Sequence, residues 1–396
     1  MLKQPVIHRI ALLFNANKVY DREIIAGIGE YLSSTRVAWD LFLEEDFRCR
    51  PETISQWQGD GFIADFDDPD VAAALCGDAR PVIATGGSYA KESDYPDDVS
   101  YVATDNRALI ELAYRHLIES GLTQFALYSI PPNPGNRWAL ERERAFEALT
   151  QREGLIPHVH RGLPTSASGW SEAQRDIAAW LKVLPRPIGI IAVTDARARQ
   201  VLQACLQEGI AVPEEVAIIG IDNDPLTQAI TRIPLSSVIQ GTREMGRTAA
   251  SLLHRRLSTG HLPVQRHLVA PQGINAQASS KHVMLSSPLV MRARHFIRQY
   301  AAQGIKTGQV ADYVGVSRTT LETSFKRELK HSVHDEILHF KLEIACNHLA
   351  EGKLSISDIA VKCGFTSLQY MYAVFKREIG CTPREYQINL HAASQR

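Results

Sequence analysis

"IGIIAVTDARARQVLQACLQEG" (Ile188 to Gly209) is the stretch on which the fold turns. From Ile188 to Val193 the chain is apolar without alternation, it halts at Thr194 and Asp195, and a helix-length amphipathic segment follows. A strand with one solvated face alternates. An unbroken β-branched run is covered on both faces, as parallel strands flanked by helices are. The same phrase recurs in both directions: "RIALLF", "GFIADF", "RPVIATGG" and "QFALYSI" precede it, "VAIIGID" follows, and helical segments such as "DREIIAGIGEYLSS" lie between. Residues 1–272 therefore read as a doubly wound α/β domain, with its strands running from Ile7 onward.

Past that point the pattern changes. "GINAQASSKHVMLSSP" (Gly273 to Pro288) has no period and is rich in Ser, so 273–287 reads as a linker. From 288 to about 390 strands vanish, and short helices are punctuated by Gly304, Gly315, Gly352, Gly364 and Gly380. This all-α part contains an internal repeat. "VADYVGVSRTTLETSFKRE" (Val310 to Glu328) and "IAVKCGFTSLQYMYAVFKRE" (Ile359 to Glu378) share a small residue in the first helix, a Gly turn, a Ser soon after, and Phe-Lys-Arg-Glu.

Each copy reads as a helix-turn-helix. In the second, Ile356, Ile359, Ala360, Phe365, Met371 and Phe375 close a small core, and Gly364 makes the turn. Gln369, Tyr370 and Ala373 are left outward, followed by Lys376 and Arg377. The first copy exposes Arg318, Thr319, Glu322 and Thr323, with Lys326 behind. Gln pairs bidentately with adenine, Arg reads guanine, Glu accepts from cytosine, and the cations meet phosphate. The apolar helix from Asp335 to Ala350 suits a spacer holding the two units about one DNA turn (~34 Å) apart. A helical oligomerisation module is the plainer alternative; the repeat, its two glycines and the spacer together favour a DNA reader.

With 45% hydrophobic and 22% charged residues, the 396-residue chain suits a globular protein of two or three domains. The net charge of -1 conceals an asymmetry: from Pro288 onward there are 15 Lys+Arg and 10 Asp+Glu, against 28 and 34 before it. The C-terminal part is thus the candidate for a polyanionic partner. The longest apolar runs are strand-sized and no signal-peptide core precedes them, so neither a membrane span nor export is expected, and a cytoplasmic location is. Six scattered cysteines without a C-x-x-C pair indicate neither a zinc site nor a disulfide framework.

In doubly wound folds ligands bind beyond the carboxyl ends of the strands. There the chain offers Tyr20 and Asp21, then Asp65 and Asp67, then Gly86, Gly87 and Ser88. Later strand ends give Arg137, Trp138 and Arg142, then Thr194 and Asp195, then Asp222, with Gln240 further on. Carboxylates, amides, arginines and aromatics suit a polyol, which needs fixed donors and acceptors for its hydroxyls and a flat apolar face for its ring carbons. "DFDDPD" lacks the spacing of a calcium loop, "TGGS" is too short to cradle phosphate, and G-x-S-x-G is absent, so no metal and no cofactor is expected. Asp65, Asp67, Asp195 and Asp222 also fit a glycosidase, which leaves a sugar enzyme open beside a regulator and a plain sugar-binding protein.

"SISDIAVKCGFTSLQYMYAVFKREIGCTPREY" resembles the second half of the AraC/XylS-type DNA-binding domain. Ile356, Ile359, Ala360, Gly364, Phe365, Ser367, Tyr370, Phe375, Lys376, Gly380, Thr382, Pro383 and Tyr386 match, while Met371 stands for the usual Phe and Gln387 for the usual Arg. The resemblance implies base contacts from Thr319, Glu322 and Thr323 in the first recognition helix and from Leu368, Gln369, Tyr370 and Ala373 in the second. The α/β part resembles the sugar-binding core of the lactose/galactose repressors and periplasmic ribose-binding proteins, which implies a two-lobed, periplasmic-binding-protein-like sensing and dimerisation domain. By position in that family, Arg142 of "RERAF" would grip hydroxyls, Trp170 of "SGWSEAQ" would stack on the sugar, and Thr194, Asp222 and Gln240 would bind it. Tyr20 and Asp21 fall where ring-stacking aromatics sit, and Gly86 and Gly87 replace an Asp-Arg pair, leaving room. Strings such as "LLFNANK", "IADFDD", "ATDN" and "IIGIDN" resemble the bacterial xylose-responsive operon regulators over nearly the whole length. That resemblance implies a homodimeric activator of xylose uptake and catabolism genes, with D-xylose as inducer and double-stranded promoter DNA and RNA polymerase as partners.

Overall fold

The computed structural model describes residues 7–46, 48–260, 263–282 and 287–394. It divides into two compact units, Met1–Ile210 with Val216–His282, and Val283–Arg396 with the short segment Ala211–Glu215.

The first unit is built on twelve strands: β1 (His8–Leu13), β2 (Trp39–Phe42), β3 (Gly61–Asp65), β4 (Val82–Gly87), β5 (Ser100–Thr104), β6 (Phe125–Ser129), β7 (His158–Arg161), β8 (Ile188–Ala192), β9 (Val216–Ile221), β10 (Ser236–Ile239), β11 (Arg266–Val269) and β12 (Gly273–Asn275). They form two six-stranded sheets, ordered β11-β5-β4-β3-β1-β2 and β12-β10-β9-β8-β6-β7. Every pairing is parallel except β10 with β12. Each sheet is the floor of one lobe.

The unbroken apolar runs have the expected cause. In the first sheet Ile10, Leu12, Ile63, Ile83 and Val102 pack with Ile24, Ile28 and Met245 on one face. Their neighbours Ala11, Leu13, Phe62, Ala64, Ala84 and Tyr101 pack with Ile54, Val71 and Leu75 on the other. Successive side chains point to opposite faces, and both faces are covered. Among the strands that the sequence pattern passed over, β2, β7, β11 and β12 are sheet edges whose residues are mostly half-exposed, so they carry no apolar run. β5 is fully buried but is spelled with Ser, Tyr and Thr.

The chain passes between lobes three times: through the helix Asn106–Glu119 after β5, through Thr242–Thr259 after β10, and from β11 to β12. The helix Asn106–Glu119 packs Leu109, Ile110, Ala113 and Leu117 into the second lobe's core, with Ile191 and Ile219. The helix Thr242–Thr259 lies so close to Val19–Ser34 that a Cβ on Gly27 would stand 2.1 Å from the Arg243 carbonyl oxygen, and one on Gly246 would stand 2.0 Å from that of Ile24. Two glycines thus allow a near-backbone contact that no side chain permits.

The stretch read as a linker from 273 begins inside this unit. Gly273–Asn275 is β12, and Ser279 and Ser280 are fully buried. Ser279 donates to the Ile218 carbonyl at 2.6 Å and Ser280 to Ser236 Oγ at 2.7 Å. Ser279 and Ser280, two of the serines that suggested a flexible connection, are there as small hydroxyls pairing with buried backbone and hydroxyl groups, while 283–286 of the same stretch lie outside the described residues.

The second unit is all helical, with helices Pro288–Tyr300, Thr307–Val314, Arg318–Leu329, Val333–Glu351, Ile356–Lys362, Leu368–Ile379 and Pro383–Ser394. It has two cores, one for each helix-turn-helix. Val310, Ala311, Leu321 and Phe325 close the first with Val290 and Ile297, and Ile359, Ala360, Phe365, Met371 and Phe375 close the second. The 19-residue helix Val333–Glu351, about 28 Å long, serves both. Its Val333, Ile337 and Phe340 enter the first core, and Leu338, Leu342, Ala345 and Leu349 enter the second. Within this unit Glu214 is wholly buried, 2.8 Å from the Arg298 guanidinium and 3.5 Å from that of Arg294.

Candidate functional site

A cavity of about 390 Å³ opens at the carboxyl ends of the strands of the first unit. Tyr20, Asp67, Arg142, Thr194, Asp222 and Gln240 line it, with Asn17, Thr104, Asn106 and Trp138. Both lobes contribute, because each strand end delivers one or two polar residues to the same place. Thr194 also caps the helix Asp195–Gln207, accepting the Arg197 N–H.

Arg142 is the centre of the second lobe's share. It is 3% exposed and is held by three acceptors: Asn106 Oδ1 at 2.9 Å, the Val193 carbonyl, and Gln240 Oε1 at 3.4 Å. Gln240 Nε2 donates in turn to Asp222 Oδ1 at 2.7 Å. The Arg142 guanidinium lies over the Trp138 ring, 4.7 Å from its centroid. Burial lowers the Arg142 pKa, opposed by the charge of Asp222. Burial raises the Asp222 carboxyl to about 6, opposed by Arg142.

In the first lobe Asp67 is clamped on both oxygens, with Oδ2 accepting the Gly87 N–H and Oδ1 accepting from Arg137 Nη2, each at 2.8 Å. Burial, with Asp65 nearby, raises its carboxyl to about 6.

Four expected ligand contacts stand one layer back from the cavity. Arg137 spans Asp67 and the carbonyls of Gly87 and Ser88, and it stacks on Tyr89 at 3.6 Å. Asp65 accepts the Asp67 N–H at 2.9 Å and pairs with Lys18 at 3.3 Å. Asp21, fully buried, accepts the Asn15 N–H at 2.8 Å. Asp195, also fully buried, accepts from Ser237 Oγ at 2.6 Å and from the Asp224 N–H at 2.8 Å. None of the four lines the cavity: Asp65 and Asp195 are turned toward donors from their own and from distant loops, Asp21 toward the Asn15 N–H, and Arg137 toward Asp67.

Trp170 is placed elsewhere. It starts the helix Trp170–Val183, beside the Arg199 guanidinium at 5.9 Å, and does not line the cavity; Trp138 supplies the indole. Gly86 and Gly87 do not leave open room either, for a Cβ on Gly87 would lie 2.8 Å from Trp138 Cβ and 2.9 Å from Asn106 Nδ2. The space at Gly87 is filled by these neighbours, and that at Gly86 by Tyr101 Oη, 2.4 Å from where a Cβ would stand. Thr104 and Asn106 escaped the sequence reading only because β5 did; the strand-end rule applied to "SYVATDN" finds both.

In the second unit the two candidate recognition helices begin at hydroxyl caps, Ser317 accepting the Thr320 N–H and Ser367 the Tyr370 N–H, each at 3.1 Å. Arg318, Thr319, Thr323 and Lys326 are exposed on the first, and Gln369, Tyr370, Ala373, Lys376 and Arg377 on the second. Leu368 is half-buried against the second core. Glu322 is also half-buried, and its Oε2 accepts the Val333 N–H at 3.3 Å, so it caps the next helix and is committed before any base arrives. Arg377 pairs with the adjacent Glu378 at 2.6 Å.

Among the described residues no helix is long and apolar enough to cross a membrane, and no cluster of His, Cys, Asp and Glu is arranged to hold a metal ion.

Comparison with known proteins places these features together. Residues 9–107 match the XylR N-terminal domain, residues 114–280 a periplasmic binding protein-like domain, and residues 310–388 a helix-turn-helix domain. The xylose operon regulatory protein of Escherichia coli (strain K12) is 49% identical over 380 residues, 96% of this chain and 97% of that protein. The protein of the same name from Haemophilus influenzae is 45% identical over 96% of this chain and 98% of its own length. A solved structure of the xylose-binding transcription activator XylR superposes with a TM-score of 0.89 at 46% identity, covering 98% of this chain and 99% of that one. The cellobiose complex of the transcriptional regulator CelR, 20% identical with a TM-score of 0.54 over 70% of this chain, shares the fold of the two-lobed part. With a two-lobed cleft, two helix-turn-helix units and this likeness along nearly its whole length, the chain belongs to the xylose operon regulatory protein family of transcription regulators.

Proposed function

We propose that this regulator is induced by D-xylose, which binds in the cavity between Arg142, Asp222 and Gln240 on one lobe and Tyr20 and Asp67 on the other, and that the sugar-bound protein activates promoters of xylose uptake and catabolism genes. The observation that carries this is the cavity itself: buried donors and acceptors held in fixed geometry beside Trp138, of a size for one small sugar. The protein works in the cytoplasm as a homodimer and recruits RNA polymerase at the promoter; the family resemblance supports all three statements. The sugar is released unchanged. Both oxygens of Asp67 are occupied by Gly87 and Arg137, which suits recognition better than the proton transfer that glycoside cleavage requires.

Calorimetric titration of the full chain with D-xylose, L-arabinose and D-ribose, followed by recovery of the sugar, tests this reading. Tightest binding of unchanged D-xylose, with promoter DNA bound more tightly in its presence, is the expected result. Preference for another pentose reassigns the inducer, and a chemically altered sugar overturns the non-enzymatic reading.

A further inference from the structure

The turn that carries Asp222 is bent in an uncommon way. Asp222 and Asn223 have φ of 125° and 53°, and among the described residues Lys330 is the one other non-glycine with positive φ. Such a backbone persists when its surroundings over-determine it. Here the Asn223 N–H donates to Ser237 Oγ at 2.8 Å, the Asp224 N–H to Asp195 Oδ2 at 2.8 Å, and Ser237 Oγ–H to Asp195 Oδ1 at 2.6 Å. Gly220 makes space for this arrangement, since a Cβ there would stand 2.2 Å from Asp195 Oδ1.

The turn is also tied sideways. Asn223 Oδ1 accepts from Asn275 Nδ2 at 2.8 Å, and Asn275 Oδ1 accepts from Gln277 Nε2 at 2.7 Å. Asn275 closes β12, whose pairing with β10 sets it opposite Ser237. From there the chain runs through the buried Ser279 and Ser280, and after His282 it passes into the second unit. We infer that Asn223 and Asn275 are positioning residues for the inducer response, linking the turn that holds Asp222 against the sugar to the strand from which the chain continues into the DNA-reading unit. This rests on the reading that Asp222 binds the sugar. A ligand that prefers one arrangement of the turn then biases the connecting strand by the same differential affinity.

The test uses the full chain and two readouts: hydrogen exchange at the Asn223 and Asp224 amides without sugar, and the ratio of promoter-DNA affinities with and without saturating D-xylose. Asn275→Ala removes the donor. Asn223→Gly removes the acceptor while keeping a residue that adopts positive φ freely, and Asn223→Asp keeps an acceptor. Asn275→Ala and Asn223→Gly should each speed exchange and lower the ratio roughly threefold or more, within the usual span of coupling between sites. The double variant should be no worse than either single one, and Asn223→Asp should retain the wild-type ratio. Unchanged exchange or an unchanged ratio in Asn275→Ala, with the wild type responding, overturns the link alone. A wild-type ratio of one overturns the D-xylose reading and the link together.

Discussion

The side-chain amide of Gln240 donates to the Asp222 carboxylate at 2.7 Å while its carbonyl oxygen accepts from Arg142 at 3.4 Å. One neutral residue thereby bridges an acid and a base on the same cavity wall, fixing both in place without consuming all their hydrogen-bonding capacity. Replacing Asp222 by Asn removes a charged acceptor while keeping its shape. D-xylose binding should weaken by about 1.5–3 kcal/mol, the range for hydrogen bonds to charged groups. Calorimetry checks it, with sugar-free DNA binding expected to stay as it is.

The same carboxylate gives a pH signature. Burial raises the folded-state pKa of Asp222 to about 6 from an ordinary 3.8. The folded protein therefore binds the proton more tightly than the unfolded chain, and the stability this contributes is full below about 3.8 and lost as pH rises through about 6. Thermal melts of the wild type and Asp222→Asn should show the wild type losing ground to the variant between pH 4 and pH 7. A difference in melting temperature that is flat across this range would place the titration elsewhere.

Two tryptophans separate the observed cleft from the expected one. Trp138→Ala removes the indole beside Arg142 and should weaken sugar binding by about 1 kcal/mol or more, roughly fivefold or more, as truncation of a buried aromatic contact does. Trp170→Ala should leave the affinity within twofold. Equal losses in the two variants would return Trp170 to the site.

Gly364 joins the two helices of the second helix-turn-helix at φ +68°, and a Cβ there would stand 2.3 Å from the Ala302 carbonyl oxygen. Gly364→Ala should destabilise the helical unit by more than the roughly 1–2 kcal/mol that left-handed backbone costs an L-residue. DNA binding should fall in a gel-shift titration while calorimetric sugar affinity holds.

Gln369 and Lys376 are both exposed on the second recognition helix, yet they should behave differently. Gln369→Ala should cost about 1–3 kcal/mol on the promoter and little on scrambled DNA, as a bidentate base contact does. Lys376→Ala should weaken both DNAs alike and reduce the salt dependence by about one ion, as a phosphate contact does. Fluorescence anisotropy at several salt concentrations distinguishes them, and an equal loss of Gln369→Ala binding on scrambled DNA reassigns that residue to phosphate or packing.

Much of this architecture was legible because the signals are local. An apolar run that ends at Asp or Gly states that a parallel strand is covered on both faces, as Ile188–Ala192 is. A glycine followed by a Ser cap and helical spacing states a helix-turn-helix, as at Gly364 and Ser367. Edge strands stayed hidden because half-exposed residues obey no pattern, and β12 stayed hidden because its hydrogen bonds go to β10, some 35 residues earlier in the chain.

The sequence by itself determined which residues reach the strand ends, since backbone periodicity and turn chemistry decide that within a few neighbours. It could not determine which of them meet a ligand. Asp65, Asp195 and Arg137 have the same chemistry as Asp222 and Arg142, and what sets them apart is that partners distant in the chain, Lys18 for Asp65, Asp224 for Asp195 and Asp67 for Arg137, hold them off the cavity wall that Asp222 and Arg142 line. Only the tertiary structure makes that choice. A buried polar atom must be satisfied by whatever the fold brings beside it, and only the polar groups that face the cavity stay available to a sugar.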